Sequence, residues 1–211
     1  MKIAVIDYGM GNLRSVSKAL EHAAPGAHVA VSSDPDFVSK ADRVVFPGQG
    51  AMPDCMRELD SRGLRQVVLD ASREKPFLGI CIGLQMLFDQ SEEGDIRGLS
   101  VFGGTVRRFP REKMLDADGG RLKVPHMGWN EVHQNDAHPV WRGIPSGERY
   151  YFVHSYFADP ADPAIVCGET EYGLRFACAV ARDNIFAVQF HPEKSHTAGL
   201  KLLANFVDWN P

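Results

Sequence analysis

A single-domain α/β fold is the class the sequence predicts, with a central mostly parallel twisted sheet, flanking helices and an antiparallel strand-rich second half. Three observations predict it. Short Val- and Ile-rich apolar runs alternate with helix-period segments up to about residue 98, the order that gives parallel strands joined by right-handed helical crossovers. Beyond that point the texture changes to pairs of strand-like runs separated by turn residues. Finally, the 211 residues are 44% hydrophobic and 24% charged, with no linker, repeat or low-complexity tract, which suits one sizeable core.

The opening run KIAVID is a short buried strand that ends in Gly9-Met10-Gly11-Asn12, and a helix is expected over Leu13–Ala23. AHVAVSS (27–33) and RVVFPG (43–48) supply the next two parallel strands, a helical pattern fills 53–70, and PFLGI (76–80) is a fourth strand. FGGTVRRF, WNEVHQ, RYYFVHSYF and AIVCGE follow as strands. FACAVAR and IFAVQF then read as a hairpin across Asp183-Asn184. The closing SHTAGLKLLANFVDW is a helix that Ser195 or Thr197 can cap, with Leu200, Leu203 and Val207 on one face. The loop 113–120 reads as the most exposed stretch and the mobile one.

Charge narrows the partners. The formal net charge is −4 and Lys and Arg form no run, so nucleic acid and anionic membranes are poor candidates. No apolar stretch approaches the roughly 18 residues of a spanning helix, and the N-terminal apolar run breaks too early for a signal peptide, so a cytosolic location is expected. Cys55, Cys81, Cys167 and Cys178 lack CxxC spacing, and the eight histidines form no HExxH. Neither a disulfide framework nor a metal is expected, and three of the thiols read as core. Gly9-x-Gly11 has Arg14 where a dinucleotide fingerprint needs its third glycine, and no phosphate-cradling GxxxxGK[ST] occurs. No cofactor is expected.

In open α/β sheets, ligands bind beyond the carboxyl ends of the strands. Three segments fall there. Gly79-x-Cys81-x-Gly83 has the shape of a nucleophile elbow, where a strand turns sharply into a helix and presents one side chain. Small neighbours suit such a cramped turn, and the positive end of the helix favours a thiolate. A buried strand ending in a small residue would look the same, so the motif alone leaves Cys81 either nucleophile or core thiol. His191-Pro192-Glu193 follows the strand IFAVQF, and an extended backbone through Pro192 would let Glu193 orient the His191 ring as a base. Pro47-Gly48-Gln49-Gly50-Ala51 offers backbone N–H groups that, with the Ile82 N–H, could hold an oxyanion. Gln85, one turn after Cys81, faces the same region or solvent.

With GICIGLQ, PGQGA and HPEK in this order, the chain resembles the class I, triad-type glutamine amidotransferases over nearly its whole length. Within them it is similar to the glutaminase subunits of imidazole glycerol phosphate synthases of histidine biosynthesis, through DYGMGNLRSV, PHMGWN, YYFVHSY and HPEKS. Leu84 and Lys194 stand where the relatives serving anthranilate or aminodeoxychorismate synthesis usually carry His and Ser. The resemblance implies a flavodoxin-like amidotransferase domain over 1–211 and hydrolysis of glutamine to glutamate and ammonia. Cys81 would be nucleophile, His191 base and acid, and Glu193 orienter. Gly48, Gly50 and Gln85 would lie around the glutamine, with the amides near Gln49 and Ile82 forming the oxyanion hole. The implied partner is a separate (β/α)₈ cyclase that takes up the ammonia, in a heterodimer, with Asn12, Trp129, Tyr151 and Lys194 facing it. Two positions depart from the pattern: Gln49, where a small apolar residue is common, and His196, where Gln is common. The alternatives are a stand-alone cysteine hydrolase, such as a peptidase or γ-glutamyl hydrolase, and a non-catalytic scaffold, which would normally have lost part of the intact triad.

Overall fold

The computed structural model of the chain describes residues 1–110, 112, 114–116 and 118–211. Lys2–Ile6 (β1), Leu13–Ala23 (α1), His28–Ser32 (β2), Pro35–Ser39 (α2) and Arg43–Gly48 (β3) come first. Met52–Ser61 (α3), Arg65–Glu74 (α4), Phe77–Cys81 (β4) and Ile82–Gln85 (α5) complete the expected parallel half. Every residue of β3 and β4 is buried, as suits strands flanked by parallel neighbours and covered on both faces. β2 pairs only with β1 and is half exposed, so the Val-rich run 27–33 is an edge strand.

The helical pattern expected over 53–70 is two helices, and the break has a local cause. Gly63 has φ +68. Its N–H donates to Asp60 O at 3.0 Å while Leu64 N–H donates to Leu59 O at 3.1 Å, the paired bonds that end a helix at a left-handed glycine.

The second half comprises Phe88–Ser91 (β5), Ile96–Arg97 (β6), Phe102–Arg108 (β7), His126–Gln134 (β8), Glu148–His154 (β9), Tyr156–Pro160 (β10), Val166–Glu171 (β11), Arg175–Arg182 (β12), Ile185–Val188 (β13) and His196–Asp208 (α6). The β5–β6 hairpin escaped the sequence reading because its turn is acidic and its strands short, with Gly94 at φ +76 and Asp95 at φ +49. The run RYYFVHSYF is two strands: β9 pairs with β8, and after Ser155 the chain continues as β10 against β7 and β12. Asp183-Asn184 is the expected hairpin turn, with Arg182 opposite Ile185.

Among the described residues thirteen strands join one mixed sheet, with path β2-β1-β3-β4-β13-β12-β10-β7-β5-β6 and β11, β8 and β9 branching from it. β13 returns from the second half to pair parallel with β4. That pairing sets the end of β13 beside the end of β4, more than a hundred residues away in sequence. Among the described residues of the loop 113–120, all but Met114 are exposed, as expected. Met114 is buried, Leu115 bridges to Arg121, and Asp116 Oδ1 accepts from the N–H groups of Asp118 and Gly120; Lys113 and Ala117 lie outside the described residues. No helix among the described residues is long and apolar enough to cross a membrane.

Candidate active site

Cys81 closes β4 and opens α5 at φ 55, ψ −111, a conformation L residues occupy only under constraint. The surroundings supply that constraint. A Cβ at Gly83 would sit 1.8 Å from the Phe46 carbonyl oxygen, so α5 lies directly on the backbone of β3. A Cβ at Gly79 would press on Ala187 Cβ at 3.0 Å. The strained turn expected of the glycine pattern is therefore present. The helix after it is only four residues long, so the stabilisation of a thiolate by a helix dipole expected from the sequence is confined to a single turn.

The base arm differs from its expected geometry. Pro192–Lys194 is a 3-10 turn rather than extended chain, closed by Lys194 N–H to His191 O and Ser195 N–H to Pro192 O, both at 3.0 Å. Proline at the first position of such a turn is pre-set for it. The turn still brings Glu193 Oε1 to 2.8 Å from His191 Nδ1, with both side chains buried. A carboxylate there accepts the Nδ1–H and leaves Nε2 as the functional nitrogen. That Nε2 is buried and has no hydrogen-bond partner among the described residues. Burial disfavours the imidazolium, yet the nearby Cys81 thiolate and the Glu193 carboxylate together outweigh it and raise His191 to about 10.

Cys81, His191, Gln49, Gly50, Ile82, Gln85 and Lys194 all line one cleft of about 320 Å³. Gly48 lies just beneath it, paired with Cys81 at the end of the β3–β4 ladder. Along that ladder Val44 N–H donates to Pro76 O at 3.0 Å, and parallel alternation from there turns the Gly48 carbonyl towards the Ile82 N–H at the last step. The Gln49 carbonyl accepts from Cys55 Sγ at 3.5 Å. Cys55, Cys167 and Cys178 are buried and unbridged.

Trp129, Tyr151 and Lys194 form one surface group. Lys194 Nζ lies 5.8 Å from the Tyr151 ring centroid, and Trp129 stacks on His196 at 4.9 Å with the planes 4° apart. Asn12 lies at the start of α1, half-buried, with no hydrogen bond from its side chain to the helix.

One residue of the site went unread in the sequence and another was given a different role. Gln189 is fully buried, accepts from Gln85 Nε2 at 3.0 Å and places its own Nε2 3.8 Å from Cys81 Sγ; its position two residues before His191 in the run IFAVQF, just past the end of β13, was the available signal. Ser195 precedes α6 but does not cap it. Its hydroxyl instead donates to His191 O at 2.6 Å and accepts from Tyr151 N–H at 3.0 Å, pinning the base arm to β9.

The family described as glutamine amidotransferase class-I matches residues 4–209 of this chain. The chain is 69% identical to the imidazole glycerol phosphate synthase subunit HisH of Aromatoleum aromaticum, over 99% of each chain. It is 68% identical to the subunit of the same name from Dechloromonas aromatica, over 99% of this chain and 97% of that one. Among solved structures, PurLQS from Thermotoga maritima superposes with a TM-score of 0.70 at 18% identity, covering 98% of this chain and 97% of that one. A glutamine amidotransferase from Thermotoga maritima gives 0.66 at 17% identity, covering 99% and 96%; at such identities these two bear on the fold alone. A family match across nearly the whole chain, on a fold that carries an elbow cysteine and a carboxylate-held histidine to one cleft, means that the chain belongs to the class-I glutamine amidotransferases.

Proposed function

We propose that the chain is the glutaminase subunit of an imidazole glycerol phosphate synthase, acting as one amidotransferase domain over 1–211. It hydrolyses glutamine to glutamate and ammonia for a cyclase subunit of histidine biosynthesis. The observation that carries the reading is the buried His191, held by Glu193 at 2.8 Å through Nδ1 while Nε2 is left without a partner among the described residues in the cleft that Cys81 lines.

In this reading the Cys81 thiolate attacks the side-chain amide carbon of glutamine, and the carbonyl oxygen takes up the negative charge of a tetrahedral intermediate. The His191 imidazolium gives its Nε2 proton to the departing nitrogen, the C–N bond breaks, and ammonia leaves behind a glutamyl thioester. His191 then takes a proton from water, hydroxide adds to the thioester, and the C–S bond breaks to release glutamate. Glu193 fixes the ring and its tautomer throughout. The oxyanion falls to the amides of Ile82 and of the Gly48-Gln49-Gly50 turn. Because the Gly48 carbonyl faces the Ile82 N–H, the Gly48–Gln49 peptide has to turn before that amide is free, and Gly50 at φ +105 is the residue that can absorb the rotation. Turnover is therefore slow until the peptide turns. Ammonia in neutral water is mostly protonated and not nucleophilic, which favours passing it straight to the (β/α)₈ cyclase docked over Asn12, Trp129, Tyr151 and Lys194.

In a complex reconstituted with the cyclase, Cys81→Ser is expected to abolish glutamine-dependent synthesis and to spare ammonia-dependent synthesis. Glutamine-dependent turnover by the variant would refute the mechanism. Equal glutamine hydrolysis with and without the cyclase and its nucleotide ligand would favour a stand-alone hydrolase.

A further inference from the structure

Behind the cleft lies a buried histidine pair that the chemistry above does not use. His126 on β8 stands opposite His154 on β9, with His126 Nδ1 2.9 Å from His154 Nε2. At one end His154 Nδ1 is 2.7 Å from the Tyr156 carbonyl. A carbonyl only accepts, so Nδ1 carries the hydrogen and Nε2 of the neutral ring is an acceptor. At the other end Asn130 Oδ1 accepts from the Glu131 N–H at 2.9 Å, which fixes the amide. Its Nδ2 then lies 2.7 Å from Glu171 O and 3.4 Å from His126 Nε2. An amide nitrogen only donates, so His126 Nε2 accepts and His126 Nδ1 carries the hydrogen. Both ends impose the same polarity: Asn130 donates to His126, His126 to His154, and His154 to the Tyr156 carbonyl.

The pair is buried among aromatic rings, with His154 reaching the wall of the cleft. His126 is stacked by Tyr172 at 4.0 Å and by Phe152 at 4.8 Å. Burial lowers His126 to about 4 and, with the neighbouring His126 charge, His154 to about 3, so both rings are neutral at pH 7 and the single proton arrangement holds.

The far end of the relay reaches the nucleophile. The Tyr156 carbonyl also accepts Gln85 Nε2–H at 3.0 Å, and the same Nε2 is shared with Gln189, the neighbour of Cys81. Gln85 Oε1 is buried and without a partner among the described residues, and Gln85, His154, Ser155 and Tyr156 all line the cleft. We propose that His126 and His154 are positioning residues for the glutamine site. By fixing the Tyr156 carbonyl they hold Gln85 in the one amide orientation that keeps Oε1 open to a donor on the substrate. This deepens the glutaminase reading and rests on it.

The test is kinetic and spectroscopic. Asn130→Leu, of similar size, removes the donor that fixes the polarity of the relay without adding a charge. The hydrogen of His126 is then free to sit on Nε2, which sets two acceptors face to face between the rings. The loss of an oriented hydrogen bond in the substrate site is expected to raise KM for glutamine about tenfold with kcat within about threefold, and to leave ammonia-dependent synthesis by the complex unchanged. The double variant His126→Phe/His154→Phe keeps the aromatic packing and is expected to do the same. A melting temperature that falls while KM stays at the wild-type value in both variants would overturn the proposal. In the unaltered chain the imidazole ¹⁵N shifts are expected to report both rings as neutral Nδ1–H tautomers at pH 7; an Nε2–H tautomer or an imidazolium at either ring would overturn it too. Should the unaltered complex hydrolyse no glutamine, the glutaminase reading falls, and the tautomer result stands apart from it.

Discussion

The two arms that meet at the cleft are built on different principles. The elbow arm stores its function in backbone conformation: Cys81 is held at φ 55, ψ −111 because α5 sits on the Phe46 carbonyl across Gly83. The base arm has a relaxed backbone, with His191 at φ −105, ψ 94, and relies on side chains: Glu193 on Nδ1, and Ser195 tying the His191 carbonyl to β9. Both arms are pressed home by a glycine, since a Cβ at Gly199 of α6 would meet the Pro192 carbonyl at 1.9 Å. A nucleophile needs one fixed direction of approach, which strained backbone supplies; a base that gives and takes a proton needs its partners, which hydrogen bonds supply.

If this contrast is right, the arms fail differently. The largest effect is expected at Gly83→Ala, where the new methyl meets backbone that cannot step aside. Destabilisation of about 3 kcal/mol or more is expected, with loss of folded yield, read from chemical unfolding. A folded Gly83→Ala chain with an unchanged midpoint would break the claim that the elbow is held by close backbone approach. On the base arm Glu193→Gln is expected to leave the fold nearly intact while kcat for glutamine falls by about 10² or more, through loss of ring orientation and of imidazolium stabilisation. Equal losses of stability in both variants would erase the distinction.

A smaller effect concerns pH. His191 is raised from 6.5 to about 10, so the folded state holds this proton more tightly than the unfolded state does. Its contribution to stability is complete below about pH 6.5 and is lost as pH rises through about 10. Unfolding midpoints measured across that window are expected to fall for the unaltered chain and to fall less for Glu193→Gln. A flat profile in the unaltered chain would contradict the buried charge pairing.

The sequence disclosed these arms unequally. The elbow was legible because glycines at 79 and 83 flank a cysteine at the end of an apolar strand, and the parallel strands and α1 fell within a residue or two of their expected spans because short apolar runs and a helix-period segment are each closed by turn residues. The base arm was legible in its residues but not in its shape: Pro192 starts a 3-10 turn, a choice settled by bonds to His191 and Pro192 carbonyls that no local spacing encodes. Ser195 was read as a cap because caps share its residue type, whereas its partner Tyr151 lies 44 residues away in sequence. The His126–His154 pair was likewise invisible, since the register between β8 and β9 brings it together, while Gln189 left only the hint of its place two residues before His191.

The account stands on both arms serving one sulfur. The most direct measurement is labelling of the complex with an electrophilic diazo ketone analogue of glutamine, followed by peptide mapping. The expected result is one label per chain, on Cys81, blocked by excess glutamine and formed in step with the loss of glutamine-dependent activity. Loss of that activity with the label on Cys55, Cys167 or Cys178, or with Cys81 unmodified, would contradict the account.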